Sequence, residues 1–273
     1  MCLILIAWRV HPDYPLVVAA NRDEFFARPT APAAFWNNAP HLLAGRDLEA
    51  GGTWLGVSRA GRFAALTNFR DPAQKRAGMP SRGGLVADFL AGDEAPQDYL
   101  ERITAYGSRC NGYNLLIGDG ETLWWSSNMG GRPRMLEPGL YGVSNHLLDT
   151  PWPKVGAGKA ALAQAIDRLP DDQSLFDLLA DDGIHPDAQL PQTGVPLDLE
   201  RMLSAAFVKS PEYGTRSSTV LCVGQDGWTG FSEQTWLPGA RRGERVRYRF
   251  TMARCGMPAA MNSGPSSTKP KRR

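Results

Sequence analysis

An α+β domain of antiparallel sheets is what the order of sequence patterns predicts. Three observations carry this. Strand-like apolar runs come in neighbouring pairs joined by turn residues, which is hairpin chemistry. Helical patterns fall in blocks between those pairs instead of alternating strand by strand, which argues against a doubly wound parallel sheet. Neither an internal repeat nor a phosphate-binding loop interrupts the order; Gly83-Gly84 and Gly130-Gly131 are isolated pairs.

The first pair is Met1-Cys2-Leu3-Ile4-Leu5-Ile6-Ala7-Trp8-Arg9 and Pro15-Leu16-Val17-Val18-Ala19-Ala20-Asn21-Arg22-Asp23-Glu24, flanking the turn residues His11-Pro12-Asp13-Tyr14-Pro15. Antiparallel pairing sets the start of one strand beside the end of the other. Residues 25–50 hold prolines and few periodic apolars, with Phe25-Phe26 and Phe35-Trp36 as anchors, and read as an ordered loop over the first sheet. Residues 51–58 give a turn and a strand, Arg59-Ala60-Gly61-Arg62 a turn, and 63–69 a second strand, making a hairpin. Gly83-Gly84 opens a helix on Leu85, Val86, Phe89 and Leu90, with Gly92 as its stop, and 96–106 gives another. Strands at 113–118 and 122–127 turn on Asp119-Gly120, and 139–145 is a short strand ending on Asn145. Helices are expected over 153–169, 173–181 and 197–207, the last on a Leu199, Met202, Leu203 and Phe207 face, with 183–196 as a loop. Strands at 217–223 and 229–235 close at Gln225-Asp226-Gly227. Arg245 to Phe250 alternates basic with apolar residues, as an edge strand with one wet face does.

At 273 residues and 42% hydrophobic the chain can bury a large core, expected as one domain over 1–255. Residues 256–273 are polar and basic and are expected to be disordered. A net charge of +2, from 30 basic and 28 acidic residues, gives no reason to expect nucleic acid or an anionic membrane as the main partner. Cys2, Cys110, Cys222 and Cys255 contain no Cys-x-x-Cys pair, and His11, His41, His146 and His185 lack metal-ligand spacing. No metal, no cofactor and no disulfide framework is therefore expected, and a reducing compartment fits. The opening run lacks a basic leader and a cleavage site, and no apolar run is long enough for a membrane span, so the cytoplasm is the expected location.

Cys2 is where the pattern points to chemistry. Its small side chain suits removal of Met1, which would leave the thiol beside its own α-amine. The amine titrates at about 7.7–8.0 and the thiol at about 8.5, so each lies a short shift from the form that nucleophilic catalysis requires. Arg22 could hold a thiolate and Asp23 could orient the amine. Trp124-Trp125 and Trp152 read as core.

Met1-Cys2-Leu3-Ile4, Asn21-Arg22-Asp23-Glu24, Gly51-Gly52-Thr53-Trp54-Leu55-Gly56, Thr67-Asn68-Phe69-Arg70 and Ser81-Arg82-Gly83 resemble the NRDE family, also called the transport-and-Golgi-organisation family. So do Tyr113-Asn114-Leu115, Ser144-Asn145 with Trp152-Pro153-Lys154, and Tyr213-Gly214-Thr215-Arg216-Ser217-Ser218-Thr219, in family order to about residue 250. That family is similar to N-terminal-nucleophile hydrolases, which implies a four-layer αββα sandwich. The nearest branch is that of cysteine amidases such as bile-salt hydrolases and penicillin V acylases. The resemblance implies Cys2 as nucleophile with Arg22 and Asp23 beside it, Asn68 and Asn145 as oxyanion or amine-orienting groups, and Arg216 as a late arginine. Asn21, Glu24 and Trp54 become candidate substrate contacts. Two departures stand out: Arg22 and Asp23 are adjacent, so only a strand end or bulge brings both to one pocket, and Glu24 has no hydrolase counterpart. The implied activity is hydrolysis of a non-peptide C–N amide bond in a small-molecule amide. The alternative is non-enzymatic carriage of a hydrophobic metabolite (haem, acyl-CoA or lipid), because eukaryotic members are linked to Golgi organisation, secretion and haem mobilisation. No Cys-Pro pair or paired histidines offer a fixed haem ligand.

Overall fold

Cys2 pairs with Arg22 and Leu3 with Asn21 across the first two strands, so the antiparallel pairing read from the sequence is present. The computed structural model describes residues 2–104 and 109–252. The expected tail at 256–273, Cys255 and the end of the 96–106 helix lie outside them. The order begins β1 (Cys2–Trp8), β2 (Leu16–Phe25), β3 (Thr30–Trp36), β4 (Ala39–Asp47), β5 (Leu55–Ser58), β6 (Phe63–Asn68), α1 (Gly83–Ala91) and α2 (Pro96–Thr104). Next come β7 (Tyr113–Gly118), β8 (Leu123–Ser127), β9 (Arg134–Met135), β10 (Gly139–Val143) and α3 (Pro153–Ala165). α4 (Gln173–Leu179), α5 (Leu197–Ser204), β11 (Tyr213–Val223), β12 (Trp228–Leu237) and β13 (Arg241–Thr251) complete it.

Two antiparallel sheets result. One runs β10-β1-β2-β11-β12-β13 and the other β3-β4-β5-β6-β7-β8-β9. Why β1 reads as an unbroken apolar run follows from strand periodicity. Alternate residues face opposite ways, and here both faces are covered. Ile4, Ile6 and Val18 meet Leu55, Val57 and Leu116 of the other sheet. Leu3, Leu5, Val17 and Ala19 meet Val155 and Leu162 of α3 and Leu175 and Phe176 of α4. On the far side of the second sheet, Leu42, Ala64 and Leu115 pack on Val86, Phe89 and Leu90 of α1 and Tyr99 and Leu100 of α2. The layers are therefore helix, sheet, sheet, helix. Each fully buried Leu contributes roughly 1.5–3 kcal/mol. No helix among the described residues is long and apolar enough to cross a membrane.

Residues 25–50 are a correction: β3 and β4 form a hairpin there, not a loop. Pro32 sits in an irregularity between Ala31 and Ala34 on an edge strand, where a missing N–H is tolerated. The face expected for α5 is also rotated. Leu199 is exposed, and Glu200, Leu203 and Ser204 are the buried positions. The reason is that Glu200 turns inward to pair with the buried Arg70 at 2.6 Å.

Candidate functional site

The start of β1, the ends of β2, β4 and β6, the β4–β5 connection and the start of α1 converge at one end of the sandwich. They enclose a pocket of about 140 Å³ lined by Cys2, Arg22, Asp23, Glu24, Trp54 and Asn68, with Arg28, Asp47, Thr53, Leu66, Ser81, Arg82 and Gly83 completing the wall. Cys2 is held by its backbone. Its carbonyl accepts from Ser144 Oγ at 2.8 Å, and its nitrogen faces Asn145 Oδ1 at 3.4 Å. Asn145 is itself fixed, donating through Nδ2 to the Asn68 carbonyl at 2.8 Å. The Asn68 side chain lines the pocket and makes no hydrogen bond among the described residues. Burial pushes the Cys2 thiol up, while the Asp23 backbone N–H and the Arg22 charge oppose that.

Adjacent Arg22 and Asp23 face opposite ways along β2, and both line the pocket because they lie near the strand's end, opposite the register shift of β11. The Arg22 guanidinium lies 4.4 Å over the Trp54 ring and 4.0 Å from Glu24. Trp54 can occupy that place because Gly45 lacks a Cβ, which would sit 2.3 Å from its ring. Asp23 is 2% exposed and accepts from Thr215 Oγ1 at 2.7 Å. Burial pushes its carboxyl up, against the charges of Lys154 and Arg22. Lys154 is equally buried and donates to the Leu203 carbonyl at 2.8 Å; burial brings it down to about 8.

Three sequence-predicted residues do not line this pocket: Asn145, which lines the adjoining groove and meets the Cys2 nitrogen, Asn21 and Arg216. Asn21 faces the helical layer, its Nδ2 donating to the carbonyls of Leu179 at 2.7 Å and Ala206 at 2.8 Å, and its Oδ1 accepting from Ser218 Oγ at 2.6 Å. One residue along a strand reverses the side chain, which puts Asn21 and Asp23 on the face opposite Arg22, and only Asp23 is near enough to the end to reach Cys2. Arg216 occupies the bulge of β11 opposite Arg22 and Asp23. There it donates to the carbonyls of Phe25 at 2.7 Å, Phe26 at 3.2 Å and Arg28 at 3.0 Å, clamping the turn after β2. Lys154, Thr215 and Arg82 were within recognisable motifs but had no assigned role, since burial beside Cys2 is a tertiary property. Among the described residues no three His, Cys, Asp or Glu side chains could hold a metal.

Arg28 adds an ion pair to the pocket rim, to Asp47 at 2.8 Å and Glu49 at 3.2 Å. The wall thus alternates charges, with Cys2 at its floor and an uncommitted amide, Asn68, beside it. Such an arrangement can position a nucleophile, orient an amine and donate to a developing oxyanion.

Residues 1–238 match the model of a family described as Transport and Golgi organisation 2. The chain is 40% identical over 260 residues to the Transport and Golgi organization protein 2 homolog of Bos taurus, covering 87% of this chain and 94% of that one. To the homolog of Homo sapiens it is 38% identical over 279 residues, covering 92% and 99%. Similar solved structures include a Caenorhabditis elegans N-acylethanolamine-hydrolyzing acid amidase ortholog, at 13% identity and TM-score 0.48, covering 81% of this chain and 92% of that one. A penicillin V acylase from Agrobacterium tumefaciens is another, at 11% identity and TM-score 0.45, covering 92% and 86%.

Proposed function

The chain belongs to the Transport and Golgi organisation 2 family, and from that premise we propose that it is an amidohydrolase cleaving a non-peptide C–N bond through Cys2 after removal of Met1. The observation that carries this reading is the seating of Cys2. Its backbone nitrogen faces Asn145 Oδ1 at 3.4 Å while its thiol opens on a pocket beside Asp23 and Asn68. In the processed form the α-amine takes the thiol proton, with Asn145 Oδ1 holding the amine in place. The thiolate attacks the amide carbon, and the oxyanion draws on the Asn68 amide. The C–N bond breaks as the ammonium returns the proton to the leaving amine, leaving a thioester on Cys2. Water then adds, the C–S bond breaks, the acid departs and the thiol is restored. Arg22 and Asp23 supply charge at the thiol and the amine. A free thiol of this kind suits a reducing compartment, and the cytoplasm is the one proposed.

Intact mass comes first, then release of amine from a panel of acyl amides. Loss of Met1 with turnover that Cys2→Ala removes by at least about 10³-fold supports the reading. Retained Met1, or turnover that survives Cys2→Ala, sinks it.

A second reading, carriage of a hydrophobic metabolite without chemistry, has one observation in its favour. The buried thiol is pushed up, not down. Tight, saturable binding of haem or acyl-CoA that Cys2→Ala leaves unchanged, with no turnover, would favour it.

A further inference from the structure

The pocket at Cys2 does not close behind the nucleophile. Glu24, Arg28, Asn68 and Arg82 line both it and a wider groove of about 1010 Å³. That groove is basic, with Arg28, Arg70, Lys75, Arg76 and Arg82 set against Glu24 and Asp71. Two of the cations are already matched, Arg70 by Glu200 and Arg28 by Asp47. Asp71 is spent on its own turn, accepting from Ala73 N at 3.1 Å and from Gln74.

Arg82 is different. It is half-buried at the junction of pocket and groove, and it donates through Nη1 to the neutral Gly112 carbonyl at 2.9 Å. Among the described residues no carboxylate pairs with it, and none pairs with the exposed Lys75 further along the wall. No acidic residue in the first turn of α1 offsets it. Its backbone is also fixed from the next residue. The Gly83 carbonyl accepts from Thr53 N at 3.2 Å, and Gly52 packs so close that a Cβ there would lie 2.4 Å from the Gly83 carbonyl carbon. Glu24 and the Cys2 thiol act on it through space without an ion pair, and a guanidinium partly withdrawn from water carries a desolvation cost that an arriving anion offsets. Guanidinium forks match carboxylate and phosphate geometry.

Building on the hydrolase reading, we propose that the substrate bears a carboxylate or a phosphate on the arm that extends from Cys2 into the groove. Arg82 binds that group at the junction, and Lys75 adds long-range attraction. The substrate class is thus an anionic acyl amide, not a neutral one.

The test uses the full chain carrying Cys2→Ala, so binding is read without turnover. Three ligands share one acyl chain: N-dodecanoylglycine, N-dodecanoyl-O-phosphoethanolamine and the neutral N-dodecanoylglycinamide, each titrated calorimetrically at low and high salt. At least one anion should bind about tenfold tighter than the neutral amide, which is what ~1.4 kcal/mol of charge-assisted hydrogen bonding gives. Whichever anion leads identifies the group. Adding Arg82→Gln should reduce the preference to about twofold or less, and high salt should weaken only the anions. Equal binding of all three, no saturable binding of either anion, or a preference that survives Arg82→Gln would overturn the proposal. If the Arg82→Gln chain fails to fold, the three ligands and their salt dependence in the Cys2→Ala chain decide alone. Turnover by the unsubstituted protein is scored separately. Cleavage without charge preference removes the anion site and keeps the hydrolase. Charge preference without cleavage removes the hydrolase and keeps Arg82 as an anion-binding residue.

Discussion

Asp23 and Lys154 are buried near one another beside Cys2, each shifted toward its neutral form by loss of water and each favoured in its charged form by the other. Lys154→Met therefore raises the Asp23 carboxyl further. The acidic limb of the kcat/KM profile should move to higher pH, with activity falling several-fold more at pH 6 than at pH 8; an unmoved limb would show that Lys154 only supports α5. Glu233 offers a cleaner titration, because it lies between the sheets and not at the pocket. It accepts from Ala33 N at 2.7 Å, and burial pushes it up to about 7 from an ordinary 4.5. Between those values the folded state holds a proton that the unfolded state has lost, so stability falls as pH rises through the window. Above it the penalty is complete, up to about 3 kcal/mol. Glu233→Gln has no such proton, and urea unfolding at pH 5 and pH 8 should show the variant gaining on the natural protein at the higher pH. Strand pairing made Cys2, Arg22 and Asp23 legible as a group, since Cys2 opens one apolar run and the other two close its partner; Asn145 was legible through the family motifs alone. Arg82 and Lys154 carried no such signal, because nothing local distinguishes a buried cation from a surface one.

At the level of elements, one amide adds a polar tie between β2 and the helical layer to the apolar packing of Val17 and Ala19. Asn21→Ala leaves the buried carbonyls of Leu179 and Ala206 without that donor, which should cost about 2–3 kcal/mol. Chemical denaturation measures the loss, and activity per folded molecule should be unchanged, since Asn21 faces away from the pocket. Gly52→Ala acts between elements, where the β4–β5 connection meets the first turn of α1. A methyl 2.4 Å from the Gly83 carbonyl carbon forces the backbones apart, at about 1–3 kcal/mol, and moves Arg82 with them. Thermal melts should show the first effect and weakened anion binding the second. Most elements were legible because apolar period and turn residues agreed. The β3–β4 hairpin was not, because its prolines suppress the strand signal that an edge position tolerates. The bulge at Arg216 was not legible either, since a register shift depends on the partner strand.

For the whole molecule, the buried Arg70–Glu200 pair pins the segment after β6 to α5, on different layers of the sandwich. Arg70→Met strands a carboxylate that is 4% exposed as a side chain, and a loss of about 3–5 kcal/mol is expected by urea unfolding, with partial recovery in Arg70→Met/Glu200→Leu. The layer order was legible only through the family motifs; local patterns gave antiparallel strands and helices but not which sheet each strand joins.

The position of β1, one strand in from the sheet edge, sets a timetable. Its neighbours are β2 and β10, and β2 in turn needs β11, so strands made first are completed by strands made near the end. Ser144 and Asn145 reach Cys2 only after more than half the chain exists, and Thr215 reaches Asp23 later still. Closing such loops is slow, on the order of milliseconds to seconds. A nascent or truncated chain ending before β11 therefore carries Cys2 and the residues that line its pocket without the Thr215 bond to Asp23 and without the strand that flanks β2. On the proposed hydrolase reading, reactivity at Cys2 becomes a late event in the life of each molecule, withheld until the fold that contains it is nearly whole.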